Sequence, residues 1–344
     1  MAKYKVLLVG CGNMAVMWLE YILKRQDCEV LGLCDIIPKK AQKMKEDFTA
    51  KGHILNCQIF DNIEKALSAG LDFNLTIDCT TPESHEHVVT SALKAGSDVL
   101  GEKPMATTRK AALNEIKTAD AYNKRYSIMQ NRIYMHQMRA LRKAVDDKII
   151  GQLGYISSDF FIGAHFGGFR DLMDNVLILD MAIHTFYQAR FIAGSNPISV
   201  YCQEFNPPGS WYKGAASAVA IFEFENGVVY SYQGSWCAEG HNTTWECDWR
   251  LCGEIGSIKW DGASAPVVQV IEPNSTGFIR PFTEYILPTT GEGQPQLHEG
   301  CFDEMFAALN ENRAAETDCH DNYYSMNMVY GAIESARLGQ KIKL

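Results

Sequence analysis

The sequence predicts an α/β protein in which a doubly wound parallel sheet is followed by an α+β domain with a large, mostly antiparallel open sheet. Over the first third of the chain, short apolar runs alternate with helical patterns, which is typical of parallel βαβ units. Beyond residue 130, several aromatic-rich segments with alternating apolar residues follow one another, as in antiparallel strands. The predicted domains are 1–130 and 131–344, and the C-terminal helix is a candidate to pack back on the first domain.

The composition excludes several classes of protein. Hydrophobic residues make up 47% of the 344 residues, the net charge is −9, and no Lys/Arg-rich run offers a surface for nucleic acid. The sequence contains no stretch of eighteen apolar residues, so no membrane span is predicted. The eleven cysteines are scattered and none form a C-x-x-C pair, which favours reduced thiols in the cytoplasm and no metal site.

In the first domain, each short apolar run predicts a strand, and the segments between the runs predict helices. The first helix is typical, because Met14, Trp18, Tyr21 and Ile22 recur at helical spacing. The predicted strands are 5–9, 30–34, 58–60, 75–79, 98–101 and 127–130, and the predicted helices are 14–25, 38–50, 63–69, 84–95 and 108–124.

In the second domain, the rhythm changes to longer alternating segments. Helices are predicted at 138–148, 176–193, 301–312 and 323–338. The first strand is 155–162, and a glycine-rich loop follows it at 163–169. Six further segments are predicted to form one antiparallel sheet: 198–205, 218–225, 228–234, 244–252, 257–260 and 266–271. The turn-rich segment 273–296 is predicted to be irregular.

The turn after the first strand reads Gly10-Cys11-Gly12-Asn13-Met14-Ala15. This is G-x-G-x-x-A between a strand and a helix, the pattern that cradles a dinucleotide pyrophosphate. Gly10 permits the tight turn, and Gly12 lets the backbone approach the anion. The helix N-terminus then offers unpaired N–H groups. We expect the backbone from Gly10 to Met14 to contact the cofactor.

The second predicted strand ends at Asp35, 25 residues after Gly10. A carboxylate there accepts hydrogen bonds from the adenosine ribose and repels a 2′-phosphate, which favours NAD over NADP. The neighbouring Lys39 and Lys40 keep NADP open. The alternative is that Asp35 only caps the turn before Pro38.

Thr80, Thr81 and Pro82 follow the fourth strand, at the edge of a parallel sheet where ligands bind. The two threonines are candidates to contact ribose or nicotinamide, or simply to cap the next helix. His85 and His87 are two residues apart and cannot both face one ligand from a helix. We interpret them as surface or wall residues, with His85 among the candidate cofactor contacts, and predict no metal.

The fifth strand leads into Gly101-Glu102-Lys103-Pro104, and residues 180–184 read Asp-Met-Ala-Ile-His. Together with Thr81-Pro82 and the closing segment 334–339, these motifs resemble the Gfo/Idh/MocA family of oxidoreductases, which includes glucose–fructose oxidoreductase and inositol dehydrogenase. The resemblance covers nearly the whole chain. It implies a Rossmann first domain that binds NAD(P), with Glu102 and Lys103 at the cofactor. Ala182 stands where the family often has glycine, which indicates a distinct subfamily.

The resemblance implies that Lys103, Asp180 and His184 are catalytic. Their chemistry suits oxidation of a secondary alcohol. His184 can accept the hydroxyl proton, Lys103 can stabilise the developing alkoxide, and Asp180, four residues before His184, can share one ligand with it. The alternatives are a surface lysine and a buried structural Asp–His pair.

Further substrate contacts are expected from two places. Asn131 and Arg132 come at the end of the sixth strand, and His165 and Arg170 lie in the glycine-rich loop. The alternative for that loop is an ordinary surface segment. The tryptophans and nearby aromatics of the second domain could stack on a sugar or belong to the core.

The predicted function is hydride transfer between NAD(P) and a secondary hydroxyl of a sugar, cyclitol or sugar derivative. Two alternatives stay open: a redox-neutral, NAD-dependent glycoside hydrolase or lyase, and a non-catalytic NAD sensor. The expected partners are a small sugar or polyol and further copies of the chain. An apolar outer face of the second-domain sheet would need a partner. The resemblance implies that copies pair through this sheet, so a homodimer or homotetramer is expected.

Overall fold

The computed structural model describes residues 3–344. The chain forms two compact units, and each is built from two stretches of sequence. The first unit extends up to Met129 and also contains Cys301–Tyr323. The second contains Gln130–Gly300 and Tyr324–Leu344.

The first unit is built on a parallel sheet in the order β3-β2-β1-β4-β5-β6. The chain starts in the middle of the sheet and reverses direction between β1 and β4. The carboxyl ends of these two strands therefore flank the switch point where such sheets bind ligands. The strands are β1 (Tyr4–Val9), β2 (Cys28–Cys34), β3 (Gln58–Phe60), β4 (Leu75–Asp78), β5 (Asp98–Gly101) and β6 (Tyr126–Ile128).

Helices connect these strands, as the alternating pattern predicted. In α1 the apolar residues recur at helical spacing, and the ring of Trp18 packs edge-on against Phe302, with ring centroids 4.6 Å apart. Phe302 belongs to α8, which begins in the second unit and continues in the first. The helices are α1 (Asn13–Lys24), α2 (Pro38–Ala50), α3 (Ile63–Leu67), α4 (His85–Lys94), α5 (Arg109–Tyr122) and α8 (Leu297–Glu311).

The second unit is built on an open sheet in the order β14-β13-β12-β11-β7-β10-β9-β8-β15. Most neighbouring strands in it are antiparallel. The strands are β7 (Leu153–Phe161), β8 (Pro197–Phe205), β9 (Ser217–Phe224), β10 (Val229–Ser235), β11 (Asp248–Gly253), β12 (Gly256–Trp260), β13 (Val267–Ile271), β14 (Phe282–Ile286) and β15 (Ile342–Lys343).

Helices cover one face of this sheet. Phe186 of α7 packs on the sheet residues Phe222 and Tyr232, with ring centroids 4.8 and 5.2 Å apart. Period-two alternation of the strands places buried residues on this inner face and exposed residues on the outer face. The helices are α6 (His136–Asp146), α7 (Ile183–Ala193) and α9 (Cys319–Leu338), which starts in the first unit. Across residues 3–344, every helix is too short or too polar to cross a bilayer.

The prediction of a mostly antiparallel sheet is confirmed, and the sheet contains one parallel pair. β7 and β10 are parallel neighbours, with Ser157 opposite Ser231. A parallel pair needs a long crossover connection, and the helix and strands between these two segments supply it. Their order in the sheet is set by this long-range pairing, which alternation within a strand does not reveal.

Two segment predictions need correction. Residues 244–247 precede strand β11 rather than forming part of it, since Cys247 has a φ of +67° and its N–H donates to the Thr244 carbonyl. The segment 273–296 contains the strand β14, which pairs with β13. Every residue of β14 is exposed, so it lacks the buried alternation by which strands are recognised.

Candidate functional site

The glycine turn of the first unit has the geometry that its sequence predicted. Gly10 has a φ of +85°, and a Cβ on it would lie 2.6 Å from the Cys79 carbonyl group. A Cβ on Gly12 would meet no atom within 4 Å. The space in front of Gly12 is therefore open, while Gly10 is held tightly against the neighbouring strand.

Helix α1 begins directly after Gly12, and among the described residues no side chain caps its N-terminus. Its first N–H groups are therefore available to an anion, and the helix dipole favours negative charge there. The open space at Gly12 and the uncapped amides together fit the pyrophosphate of a dinucleotide.

Asp35 links two turns at the edge of the sheet. Its Oδ2 accepts a hydrogen bond of 2.8 Å from the Cys11 N–H, and its Oδ1 accepts one of 2.8 Å from the Ile37 N–H. Oδ1 therefore caps the turn before Pro38, as the alternative expected, while Oδ2 holds the glycine turn in place. A contact with ribose stays a prediction.

At the end of β4, the side chain of Asp78 is fully buried and organises the following turn. Its Oδ1 accepts hydrogen bonds from the N–H and hydroxyl of Thr80, and its Oδ2 lies 2.8 Å from Nδ1 of His85. Of the two interpretations of His85, as a surface or as a wall residue, the first is wrong, because His85 is only 1% exposed. Burial by itself lowers the pKa of His85, but the Asp78 carboxylate more than offsets this, so the pKa is raised.

The next turns carry the other predicted cofactor contacts. Thr81 and Pro82 begin a short 3-10 helix, in which Ser84 N–H donates to the Thr81 carbonyl. The helix-starting alternative for these residues is thus compatible with a ligand contact. His87 is exposed and pairs with Glu64.

Glu102 anchors the turn after β5. Its buried carboxylate accepts a 2.6 Å hydrogen bond from the indole N–H of Trp18. Burial raises the pKa of Glu102, and the hydrogen bond from Trp18 opposes this shift. The backbone N–H of Lys103 also donates to Glu102, at 3.3 Å. The catalytic role of the Lys103 amine stays a prediction.

In the second unit, Asp180 and His184 lie on one continuous helical segment. The segment starts as a π-helix over Leu177–Ala182 and continues as α7 from Ile183. The prediction of a regular helix over 176–193 is therefore corrected for its first turns. Single π turns are rare and occur frequently at functional sites.

Arg170 lies against Asp180. Its Nε donates a hydrogen bond of 2.5 Å to Oδ2 of the carboxylate. Arg170 belongs to a short 3-10 helix, Gly168–Leu172, in the loop that follows β7. The structure thus brings together a predicted substrate residue and a predicted catalytic residue ten positions apart in the sequence.

Asn131 and Arg132 lie in a 3-10 helix, Asn131–Tyr134, and not at the end of a strand, since β6 ends at Ile128. Nδ2 of Asn131 lies 3.3 Å from Nδ1 of His298. Arg132 is mostly buried and donates to the Trp245 carbonyl, and it lies 3.5 Å from Oε1 of Glu246. Arg132 therefore joins an internal polar network of the second unit.

His165 is in a different setting from Arg170, although both lie in the same loop. The His165 ring stacks on Trp211 with a centroid distance of 3.6 Å, and its Nε2 lies 2.8 Å from Oε1 of Glu239. This contact supports the loop from its exposed side. A role of His165 in substrate binding stays a prediction.

Gln188 and Glu246 form a hydrogen-bonded pair that was not predicted from the sequence. Gln188 Nε2 donates to Glu246 at 3.4 Å, and burial raises the pKa of Glu246, while Arg132 lowers it. Gln188 is one turn after His184 on the same helix face, so helical spacing could have found it. Glu246 has no such local signal, because its partners come from distant segments.

One group of metal-capable side chains occurs in the part of the chain that the structure describes: Asp318, Cys319 and His320. Both ring nitrogens of His320 already lie within 3.0 Å of carboxylate oxygens, those of Asp318 and Asp120. Asp318 also accepts the His320 N–H at the start of α9, as an N-terminal cap does. The contacts of these side chains are therefore those of a cap at the N-terminus of α9.

Comparison with known proteins assigns the chain to a family. The sequence model described as "Oxidoreductase family, NAD-binding Rossmann fold" matches residues 4–130, and the GFO/IDH/MocA C-terminal domain matches residues 138–259. The chain therefore belongs to the Gfo/Idh/MocA oxidoreductase family, and its first unit is an NAD-binding Rossmann domain.

Individual proteins extend this similarity along the chain. The protein y4oX of Sinorhizobium fredii is 25% identical, over 99% of this chain and 96% of its own. Inositol 2-dehydrogenase of Rhizobium meliloti is 22% identical, over 56% of each chain. An oxidoreductase from Agrobacterium radiobacter, solved with NAD+, L-tartaric acid and magnesium, has a TM-score of 0.84 at 19% identity, covering 99% of this chain and 98% of that one.

Proposed function

We propose that this chain is an NAD-dependent dehydrogenase that oxidises a secondary hydroxyl of a sugar, cyclitol or sugar derivative. The observation that carries the proposal is the open glycine turn of an NAD-binding domain, in a chain that also holds Asp180 and His184 on one helix. The inositol dehydrogenase relative supports the choice of substrate class.

The proposed chemistry divides between the cofactor and the chain. Bound NAD supplies the acceptor for the hydride that leaves the carbinol carbon. His184 accepts the hydroxyl proton, and Lys103 stabilises the negative charge that develops on oxygen. Asp180 binds a neighbouring hydroxyl or orients His184. The products are a ketone and NADH, so the two electrons and both hydrogens are accounted for.

NAD rather than NADP is favoured by Asp35. Its carboxylate is fixed by two backbone N–H groups at the edge of the glycine turn. A 2′-phosphate next to this carboxylate would meet a like charge. A cytoplasmic location is part of the proposal, since all eleven cysteines are free thiols.

The test is incubation of the purified protein with NAD and a panel of polyols, aldoses and chromogenic glycosides. NADH formation and aglycone release are followed together, with Lys103→Ala in parallel. We expect NADH formation with at least one sugar or polyol, and a loss of at least about a hundredfold in kcat for the variant. Aglycone release without NADH would indicate the redox-neutral hydrolase, and NAD binding without turnover would indicate the sensor.

We further propose that two copies of the chain associate through the outer face of the second-unit sheet. This face is apolar at one side, where Tyr201 stands opposite Ile221. In its centre, Asp159 stands opposite Asp248, and Arg250 opposite Lys259.

Like charges directly opposite each other destabilise an antiparallel pair. A twofold axis would set the acidic pair of one copy against the basic pair of the other, so the face is complementary to itself. A second copy is therefore the occupant that this face fits.

A further inference from the structure

Arg170 is held in place by contacts on several sides. Its Nε donates to Asp180, and its guanidinium lies 5.0 Å from the ring centre of Phe166 and 4.8 Å from that of Phe169. Cation–π contacts and a charge-assisted hydrogen bond restrict the orientation of an otherwise flexible side chain. The arginine is thus presented in a fixed position beside a predicted catalytic carboxylate.

The hydrogen-bonding capacity of Arg170 is only partly used. Within residues 3–344, Nη1 and Nη2 have no hydrogen-bond partner, and about a third of the side chain (32%) is exposed. A guanidinium presents its donors as a planar fork that matches the two oxygens of a carboxylate. The free edge of Arg170 is therefore suited to a planar anion that approaches from solvent.

The other cations near this part of the chain are less suited to that role. Arg132 is 13% exposed and is already engaged with Glu246 and the Trp245 carbonyl. Lys213 pairs with Asp174 at 3.6 Å, and both side chains are largely exposed. Arg170 contacts Asp180 directly and still offers donors to solvent.

The aromatic rings beside Arg170 add a second recognition element. Phe166 is 46% exposed and Phe169 is 55% exposed, although both are large apolar side chains. Burying such rings against the apolar C–H face of a sugar would remove this exposed surface from water. The loop thus combines a donor fork for an anion with an apolar surface for a ring.

We propose that Arg170 binds a carboxylate of the substrate, so that the preferred substrates are sugar acids or their glycosides. The substrate carboxylate would take the free Nη1 and Nη2 edge, while Nε keeps its hydrogen bond to Asp180. The inference rests on the proposed function, because it names the substrate class of the same site.

The experiment compares three matched pairs: D-glucuronate with D-glucose, D-galacturonate with D-galactose, and methyl β-D-glucuronide with methyl β-D-glucoside. For each pair, kcat/KM is measured with NAD, and the dissociation constant is measured by calorimetry in the presence of NADH. D-Glucose 6-phosphate is included to separate a carboxylate site from a phosphate site. We expect the acidic member of at least one pair to bind and react roughly 10- to 100-fold better, as one charge-assisted bidentate contact provides.

The variants assign this preference to Arg170. Arg170→Gln should abolish it, and Arg170→Lys should keep only part of it, because an ammonium lacks the planar fork. Arg280→Gln, an exposed arginine outside these contacts, is the matched control and should keep the wild-type preference. Far-ultraviolet circular dichroism and the thermal midpoint confirm that each variant folds.

The two proposals fail in different ways. The Arg170 inference would be overturned if neutral sugars gave NADH as well as acids do. It would also be overturned if the preference for acids survived in Arg170→Gln. Neither result would contradict the proposed dehydrogenase activity. A preference confined to the phosphate would overturn the carboxylate assignment. If no sugar is oxidised, the dehydrogenase proposal fails, and calorimetry alone decides whether Arg170 selects acids: equal affinity for both members of every pair would contradict it.

Discussion

At the scale of single residues, Gly10 and Gly12 of the first turn are required for different reasons. Gly10 is required by the fold, since its positive φ and its contact with the Cys79 carbonyl leave no room for a side chain. Gly12 has a φ of −89°, which any residue can adopt, and a Cβ on it would meet nothing in the protein. We therefore propose that its lack of a side chain makes room for a ligand.

This difference predicts opposite outcomes for two alanine variants. Gly12→Ala should keep the thermal midpoint of the wild type and weaken NAD binding by at least about tenfold, because the methyl group occupies the space of the pyrophosphate. Gly10→Ala should lower the thermal midpoint by several degrees, since it combines an unfavourable φ, worth about 1–2 kcal/mol, with a backbone clash. Thermal unfolding and calorimetric titration with NAD measure both effects.

Unchanged NAD affinity in Gly12→Ala would contradict the placement of the pyrophosphate at this turn. Gly52→Ala is the matched control, because it lies outside the turn and a Cβ on it would also meet nothing within 4 Å. Its φ of +92° should cost stability without affecting NAD affinity, which separates backbone strain from loss of the ligand.

Two placements follow from local patterns. The glycine turn lies between the first strand and helix α1, and Asp180 and His184 lie on one helical segment. The contact of Arg170 with Asp180 and the burial of His85 against Asp78 arise from tertiary packing. No periodicity marks such contacts, so the sequence alone does not predict them.

At the scale of secondary-structure elements, the second-unit sheet carries the proposed assembly. Alternation along β8 and β9 leaves Tyr201, Val219 and Ile221 exposed on the outer face, at 44–47%. Strands with this pattern were predicted because alternation is a local property. The strand order, with β7 parallel to β10, and the exposed strand β14 were not predicted, because both depend on pairing between distant segments.

Because the outer face is apolar at Ile221, a single charge placed there should disrupt the proposed assembly. Ile221→Lys should convert the associated protein into a monomer without lowering the thermal stability of the isolated chain, because the side chain is already about half exposed. Light scattering after size-exclusion chromatography gives the mass. Ile54→Lys, at a site 84% exposed in the first unit, is the control and should stay associated.

A wild-type protein that is monomeric at the concentrations used for activity would contradict this assembly. An Ile221→Lys variant that stays associated would move the interface away from the apolar side of the sheet. Loss of association only at high salt would instead point to the Asp159–Asp248 and Arg250–Lys259 pairs as the main contact, since salt screens exposed charges.

At the scale of the whole molecule, the chain joins an NAD-binding domain to a second domain that carries Asp180, His184 and Arg170. The fold class and the family could be predicted from the order of the motifs, because that order is read directly from the sequence. The sequence named only the C-terminal helix as a candidate to pack back on the first domain. Residues 301–323, with most of α8 and the start of α9, belong to the first unit. A helix has no local feature that identifies its packing partner.

The proposed reaction transfers a hydride from the carbon of a secondary hydroxyl to NAD on this protein. The most direct measurement uses the best substrate of the panel, deuterated at each carbinol carbon in turn, and mass spectrometry of both products. We expect one labelled position from which deuterium appears in NADH, with a sugar product that has become a ketone at that carbon. NADH that carries no deuterium from any position, or a sugar recovered with its hydroxyls and labels intact, would contradict it.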